Sequence, residues 1–368
     1  MLTRVYLDNY RCFSNFEWRP GKLVVLAGRN GSGKSAVLEV ITGLARVFDE
    51  AQRVEEVFPA ESVTRWERRA EQKLELDVRL PEGEFRYMLR LDHSGKRDAV
   101  RLLEERLSLA DQELFLFKDG NVHLHPDDGA AAQVYPARGS DSPLKDVPEL
   151  PTHTKLTAFR RALQRWWLIK PMPSEMDDLS DREVPSPEVH LTDFADWYRW
   201  VNGDALKVTR LMDRLRTVLD GFASLRLKND GRDARILQAV FQLNAASGSR
   251  PTEVVFDLHE LSEGQRLLIA LYALVEFGPV RDGLLCLDEP TNYLALEEIE
   301  PWLKELEAAL DEDDGQVFIA SHNSEVVNRL WATHGVWFER DAMGPVRLRA
   351  TTPTEGLSPA EIMARGWG

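Results

Sequence analysis

Gly28-Arg29-Asn30-Gly31-Ser32-Gly33-Lys34-Ser35 stands between two stretches of different period. Before it, Lys22–Ala27 (KLVVLA) is a short β-rich run. After it, Ser35–Phe48 places Val37, Leu38, Ile41, Leu44 and Ala45 on one helical face. Strand, glycine-rich loop and helix in that order predict the opening of a parallel α/β sheet. The octet fits the pattern G-x4-G-K-[ST]. Glycines at 28, 31 and 33 let the loop curl until its N–H groups converge on an anion. The helix N-terminus adds a favourable dipole. Residues 28–35 are therefore expected to cradle a triphosphate, with Lys34 reaching the β and γ phosphates and the Ser35 hydroxyl on Mg²⁺.

Three further segments fit such a site. Leu284-Leu285-Cys286-Leu287-Asp288-Glu289 is an apolar strand ending in two acids, costly to bury without a cation. Asp288 is expected to hold Mg²⁺ through its water shell. Glu289 is expected to orient or deprotonate an attacking water. Leu261-Ser262-Glu263-Gly264-Gln265 opens a long apolar helix, 288 − 262 = 26 residues before Asp288; by itself it is an ordinary helix N-cap with an anion-binding end. His322 follows the strand Gln316–Ala320, 322 − 288 = 34 residues after Asp288, where a γ-phosphate contact is expected.

From Leu261 onward the pattern alternates: helix 264–277, strand 284–287, helix 295–310, strand 316–320, helix 323–331, then strands Val336–Glu339 and Val346–Ala350. Leu2–Leu7 reads as a strand. Residues 49–72 read as charged and helical. From Lys73 the period is two: LELDVRL, EFRYMLRLDH, VRLLEERLSLA, ELFLF and NVHLH predict an antiparallel meander, with the Asp119-Gly120 hairpin signal inside it. Residues 126–190 carry nine prolines. Thr154–Ile169 is predicted as a helix ending in Trp166-Trp167. Residues 191–221 are predicted as helical, burying Phe194, Trp197, Trp200 and Leu206. Arg235–Asn244 and Glu253–Leu258 read as strands, and LSPAEIMARGW near the C-terminus as a short amphipathic helix. The expected division is an α/β lobe over 1–50, a mixed insertion over 51–254, a second α/β lobe over 255–350 and a tail over 351–368.

Composition narrows the function classes. Among 368 residues, 43% are hydrophobic and 29% charged, ordinary for a globular chain. The formal net charge of −15 argues against a surface that coats nucleic acid throughout, while leaving room for one basic groove. Cys12 and Cys286 are the only cysteines, too few for a disulfide framework or a cysteine-rich zinc site. The N-terminus lacks a signal-peptide h-region, and no stretch reaches 18 apolar residues. A cytoplasmic protein with no membrane span is expected.

The four motifs, in this order, resemble the ABC ATPase superfamily: Walker A (28–35), the signature (LSEGQ for LSGGQ), Walker B with its catalytic glutamate, and the switch histidine. The resemblance implies an ABC-type P-loop ATPase head, α/β in class, with an antiparallel β subdomain and a helical insertion. It implies ATP and Mg²⁺ as ligands, Glu289 and His322 as catalytic residues, and Ser35 and Asp288 at the metal. It also implies an ATP-dependent homodimer in which Ser262, Gly264 and Gln265 of one head complete the site of the other. Two departures stand out: Ala295 takes a position usually held by aspartate, and Glu263 replaces a glycine. The Q-loop glutamine has only Gln133 and Gln164 as candidates.

Spacing distinguishes the branches. Signature and Walker A lie 262 − 34 = 228 residues apart, against about a hundred in the transporter ATPases that the resemblance would otherwise suggest. The opening strand with Asn9-Tyr10-Arg11-Cys12-Phe13 is similar to the start of SMC, RecF and OLD-type ATPases. The chain most resembles stand-alone OLD-like bacterial AAA family ATPases, which implies a switch or motor in DNA-related or anti-phage defence processes with a separate effector subunit and possible DNA contact. A transporter-energising subunit and a nucleotide-holding module without turnover are the alternatives. Other features are read more plainly. His123 and His125 face solvent on a strand. Arg160, Arg161, Arg165 and Lys170 around the tryptophans belong to an amphipathic helix, with nucleic-acid contact as the other reading. Arg210, Arg214 and Arg216 form a solvated face. Arg11 is a nucleotide contact by analogy with related heads.

Overall fold

The computed structural model describes residues 1–49, 51–95, 100–243, 252–349, 358 and 360–361. Its centre is a six-stranded sheet ordered Trp166–Ile169, Leu284–Asp288, Gln316–Ala320, Leu23–Ala27, Gly335–Arg340 and Val346–Arg349. The first five are mutually parallel and the last is antiparallel. Strands buried on both faces read as continuous apolar runs, as LVVLA, LLCLD and QVFIA do. Alternate residues feed two separate cores. Val24, Leu26, Leu284, Cys286, Phe318 and Ala320 face one core. Leu23, Val25, Leu285, Leu287, Val317 and Ile319 face the other.

The first core lies between the central sheet, helix Lys34–Arg46 and an eight-stranded sheet. That sheet runs, in spatial order, Phe16–Trp18, Leu2–Asp8, Glu71–Leu80, Gly83–Asp92, Arg101–Leu109, Gln112–Lys118, Asn121–Leu124 and Gln133–Pro136. The meander predicted from Lys73 is thus present, extended by strands from both flanks. Buried Gln316 joins the two sheets: its Nε2 donates to Leu2 O (3.0 Å) and Gly21 O (2.7 Å), and its Oε1 accepts from Leu2 N (2.8 Å). The second core is covered by helices Phe194–Val201, Ala205–Val218, Glu263–Phe277, Leu296–Glu312 and Ser324–His334, and by the strands Leu179–Ser180, Phe222–Asp230, Ala234–Leu243 and Thr252–Asp257.

Several expectations are corrected. Thr154–Ile169 is not one helix: the helix stops at Leu163, and Trp166–Ile169 becomes the edge strand of the central sheet, parallel to Leu284–Leu287. A four-residue apolar run has no periodicity of its own, so the neighbouring strand decides its conformation. Among the described residues of 49–72, the helical structure is limited to the short turns Val54–Val57 and Ala60–Ser62, and Glu71 and Gln72 already belong to the strand Glu71–Leu80. Residues 222–230, given no element by the sequence, form a strand. Phe194 and Trp197 are buried as expected, but Trp200 and Leu206 are 52% and 67% exposed. Arg216 is exposed as expected, but Arg210 and Arg214 do more than form a solvated face: both, partly exposed, bind the fully buried Glu276 at 2.8 and 2.7 Å. The tail helix lies mostly outside the described residues; within them, Ser358 and Glu361 bond as a helix start would (Ser358 N to Glu361 Oε2, 2.8 Å). Segments 1–50 and 51–254 each supply strands to both large sheets.

Candidate functional site

The C-terminal edge of the central sheet carries the site. The Leu23–Ala27 strand ends at Gly28, whose φ is +147°; a Cβ there would meet Phe338 O at 2.3 Å. Gly33, at φ +101°, caps helix Lys34–Arg46, and a Cβ on it would press on Cys12 and Phe13. Those two positions exclude any side chain and fix the curl of the loop. Asn30 to Ser35 line a cleft of about 690 Å³ together with Arg11, Lys170, Asp288, Glu289, His322 and Arg340.

The predicted groups meet there. Lys34 Nζ donates to Gly28 O at 2.8 Å and Arg29 O at 3.3 Å, so the ammonium is folded back over its own loop. Burial pushes it below its usual range against the opposing pull of Glu289 and Asp288. Ser32 Oγ is buried within the loop on the cleft wall with no hydrogen-bond partner, an unpaired donor of the kind that fits a phosphate oxygen. Asp288, 4% exposed, ends its strand on the cleft floor. A hydroxyl from Ser35 and a carboxylate from Asp288 are hard oxygen donors on one cleft, and that donor set fits Mg²⁺.

Glu289 follows with φ +52°, a left-handed conformation that a non-glycine residue adopts only when its surroundings impose it. Its N–H donates to Ala320 O at 2.8 Å, so the neighbouring strand holds the turn. The carboxylate is thereby aimed at His322: Glu289 Oε1 lies 2.7 Å from His322 Nδ1, and His322 N donates to Oε2 at 3.4 Å. Two residues 33 apart in sequence form one hydrogen-bonded pair at the cleft mouth.

Ser262, Gly264 and Gln265 are placed differently. Ser262 caps helix Glu263–Phe277 in a reciprocal capping box with Gln265 (Gln265 N to Ser262 Oγ, 3.2 Å; Ser262 N to Gln265 Oε1, 3.1 Å). A Cβ on Gly264 would stand 3.0 Å from Tyr293 O. All three lie outside the lining of the cleft in their own chain. Gln133 sits on the exposed last strand of the meander and Gln164 at the end of the helix Thr154–Leu163; neither lines the cleft.

Sequence reasoning missed several cleft residues. Trp66 and Arg340 stack, guanidinium carbon 5.1 Å from the ring centroid, beside the loop. Lys170 emerges from the end of the Trp166–Ile169 strand, Nζ 3.7 Å from Asp288 Oδ2. Neither has a motif to announce it; Lys170 was hidden by the reading of its strand as helix. The basic residues near the tryptophans are otherwise engaged: Arg161 with Glu149, Arg165 with Asp282, and Arg160 with backbone carbonyls of Leu144 and Val147. Trp166 and Trp167 are in the cores. Arg11 lines the cleft and pairs with Glu39. His125 lies 3.4 Å from Glu113.

Comparison with known proteins agrees with this geometry. Residues 188–328 match a family model described as "AAA domain, putative AbiEii toxin, Type IV TA system". Residues 14–123 match the model described as ABC transporter. No curated protein matches by sequence. The fold is similar to an SMC head solved bound to the C-winged helix domain of ScpA, at 11% identity and TM-score 0.57, with 99% of each chain covered. An SMC head domain from Thermotoga maritima aligns at 16% identity and TM-score 0.49 over 96% of this chain and 99% of its own. Among the described residues, no helix is long and apolar enough to cross a membrane. The predicted motifs thus stand around one cleft, two family models, an AAA domain and an ABC transporter, each match part of the chain, and the fold is that of an SMC head.

Proposed function

We propose that the chain is an ATP-driven switch: two copies close over two ATP molecules and separate after hydrolysis. Residues 28–35 cradle the phosphates, and Ser35 and Asp288 hold Mg²⁺. Bound there, the ion would supply charge neutralisation to the phosphates. Glu289 takes a proton from, or aligns, the attacking water. His322 fixes the carboxylate's orientation and faces the terminal phosphate. The observation that carries the reading is the Glu289–His322 pair on the same cleft as Lys34 and Asp288. The trans role of Ser262, Gly264 and Gln265 is supported by their place outside their own chain's cleft, where a helix start with satisfied caps awaits an anion from elsewhere. Contacts to the γ-phosphate across two copies exist only in the closed state, and such differential contacts are what a population shift requires.

The output falls on a separate effector or on DNA, in a defence or repair setting and in the cytoplasm. A partner protein is supported by the SMC head of the same fold that binds the C-winged helix domain of ScpA. The alternative of a transporter-energising subunit draws on the ABC transporter model at 14–123; the 228-residue spacing weighs against it. Glu289→Gln keeps the hydrogen bond to His322 while removing the base. With saturating Mg-ATP this variant is expected to elute as a dimer in size-exclusion light scattering, and Ser262→Arg in the same background as a monomer. A monomeric Glu289→Gln protein at saturation would sink the two-copy reading.

A further inference from the structure

The cation facing Asp288 comes from a strand that no motif marks. Trp166–Ile169 pairs in parallel with Leu284–Leu287, Ile169 opposite Leu287, so the next residue of each strand, Lys170 and Asp288, leaves the sheet on the same edge. Lys170 is anchored at its backbone: its N–H donates to Val189 O at 2.7 Å, and its carbonyl meets His190 Nδ1 at 2.9 Å. Its side chain is 52% exposed while Asp288's is 6% exposed. A fixed Cα with a half-exposed four-carbon stem can move its ammonium over several ångströms without disturbing the fold.

Nucleotide changes what that ammonium faces. A divalent ion held by Asp288 would repel the Lys170 ammonium, which lies 3.7 Å from the Asp288 carboxylate. Besides the carboxylates of Glu61 and Glu289, which line the same cleft, the anions open to the ammonium are then the phosphate oxygens of the nucleotide. We infer that Lys170 is a specificity-determining residue: it is the resident counter-ion of Asp288 in the empty site and moves to the terminal phosphate of bound ATP, so that the site favours a nucleoside triphosphate over a diphosphate. Lys34 lies over its own loop, bonded to Gly28 O and Arg29 O, where it is expected to meet the β as well as the γ phosphate and so to serve both nucleotides. The inference rests on the proposed phosphate site and adds its discrimination between ATP and ADP.

The test compares ATP and ADP affinity by calorimetry in Mg²⁺ for the wild type, Lys170→Ala, Lys170→Arg and Lys34→Ala. Loss of one charge-assisted phosphate contact in Lys170→Ala is expected to weaken ATP roughly tenfold and ADP less than about twofold, with Lys170→Arg near wild type. Without nucleotide, Mn²⁺ followed by electron paramagnetic resonance is expected to bind Lys170→Ala several-fold, on the order of 5-fold, more tightly, because Asp288 has lost its competing cation. An ATP-to-ADP affinity ratio unchanged in Lys170→Ala, or equal loss for both nucleotides, overturns the inference. Lys34→Ala separates the two levels: if it abolishes nucleotide binding while Lys170→Ala keeps the wild-type ratio, only the Lys170 assignment fails, and if Lys34→Ala binds ATP normally the phosphate site itself fails.

Discussion

Glu105, outside the lining of the cleft, shows how strongly a single ionisable group can set stability. It is fully buried in the meander lobe, accepting from Tyr87 Oη and Ser142 Oγ, each at 2.7 Å, and from Leu144 N at 3.3 Å. Burial pushes its carboxyl up from 4.5 to about 7 although all three donors pull the other way. In the unfolded chain the group loses its proton near the ordinary value. Between that value and about 7 the folded protein therefore holds one proton more than the unfolded one. Stability is fully present below the ordinary value and falls as pH rises through this window, by at most ~3 kcal/mol. Glu105→Gln keeps an acceptor for Tyr87 and Ser142 and cannot ionise. Its melting temperature relative to the wild type is expected to rise between pH 5 and pH 8; a difference that stays flat over that range assigns the pH dependence elsewhere. Lys34 gives the second prediction at this scale. Lys34→Ala is expected to abolish ATP binding in calorimetry, since loop carbonyls and backbone donors remain but the phosphate charge is no longer met.

At the scale of elements, the helices over the second core are joined by one buried carboxylate. Glu276 of Glu263–Phe277 binds Arg210 and Arg214 of Ala205–Val218, and Arg214 Nε reaches Glu305 of Leu296–Glu312 at 2.8 Å. A half-deserted buried charge is worse than none. Arg214→Leu is expected to destabilise by about 3 kcal/mol in urea unfolding, and adding Glu276→Leu to recover a large part of that loss. If the double variant is no more stable than Arg214→Leu, the pair is not what joins these helices. The helix that begins at Ser262 depends on the capping box. Ser262→Ala removes one donor's partner at about 1 kcal/mol, so its effect on the two-copy state must be read against a modest loss of folding stability.

For the whole molecule, the central sheet brings four sequence-distant segments to one edge, and a ligand gripped by all of them must stabilise the fold as a unit. ATP with Mg²⁺ at 100 times its dissociation constant is expected to add about 2.7 kcal/mol to stability, read as a raised melting temperature that Lys34→Ala does not show. A wild-type melting curve indifferent to ATP would contradict the shared grip. The two cores, one on each face of this sheet, also explain why the insertion is no appendage: the meander and the helical layer each bury a face that the sheet alone would expose.

The sequence by itself determined the curled glycine loop, the acidic strand end and the capped helix start, because each needs particular residue types at short spacing: glycines where φ must be positive, an apolar run to carry acids to a sheet edge, Ser and Gln three apart for a cap. It also determined the meander, whose period of two is a local property. Only the tertiary structure decided that Trp166–Ile169 is a strand, that Lys170 faces Asp288, that Glu289 and His322 share a hydrogen bond, and that Arg210 and Arg214 serve a buried acid. Those facts depend on which segments become neighbours across the sheet and between helices. For a four-residue apolar run or an isolated basic side chain, the free energy of the alternatives is set by the neighbour and not by the local sequence.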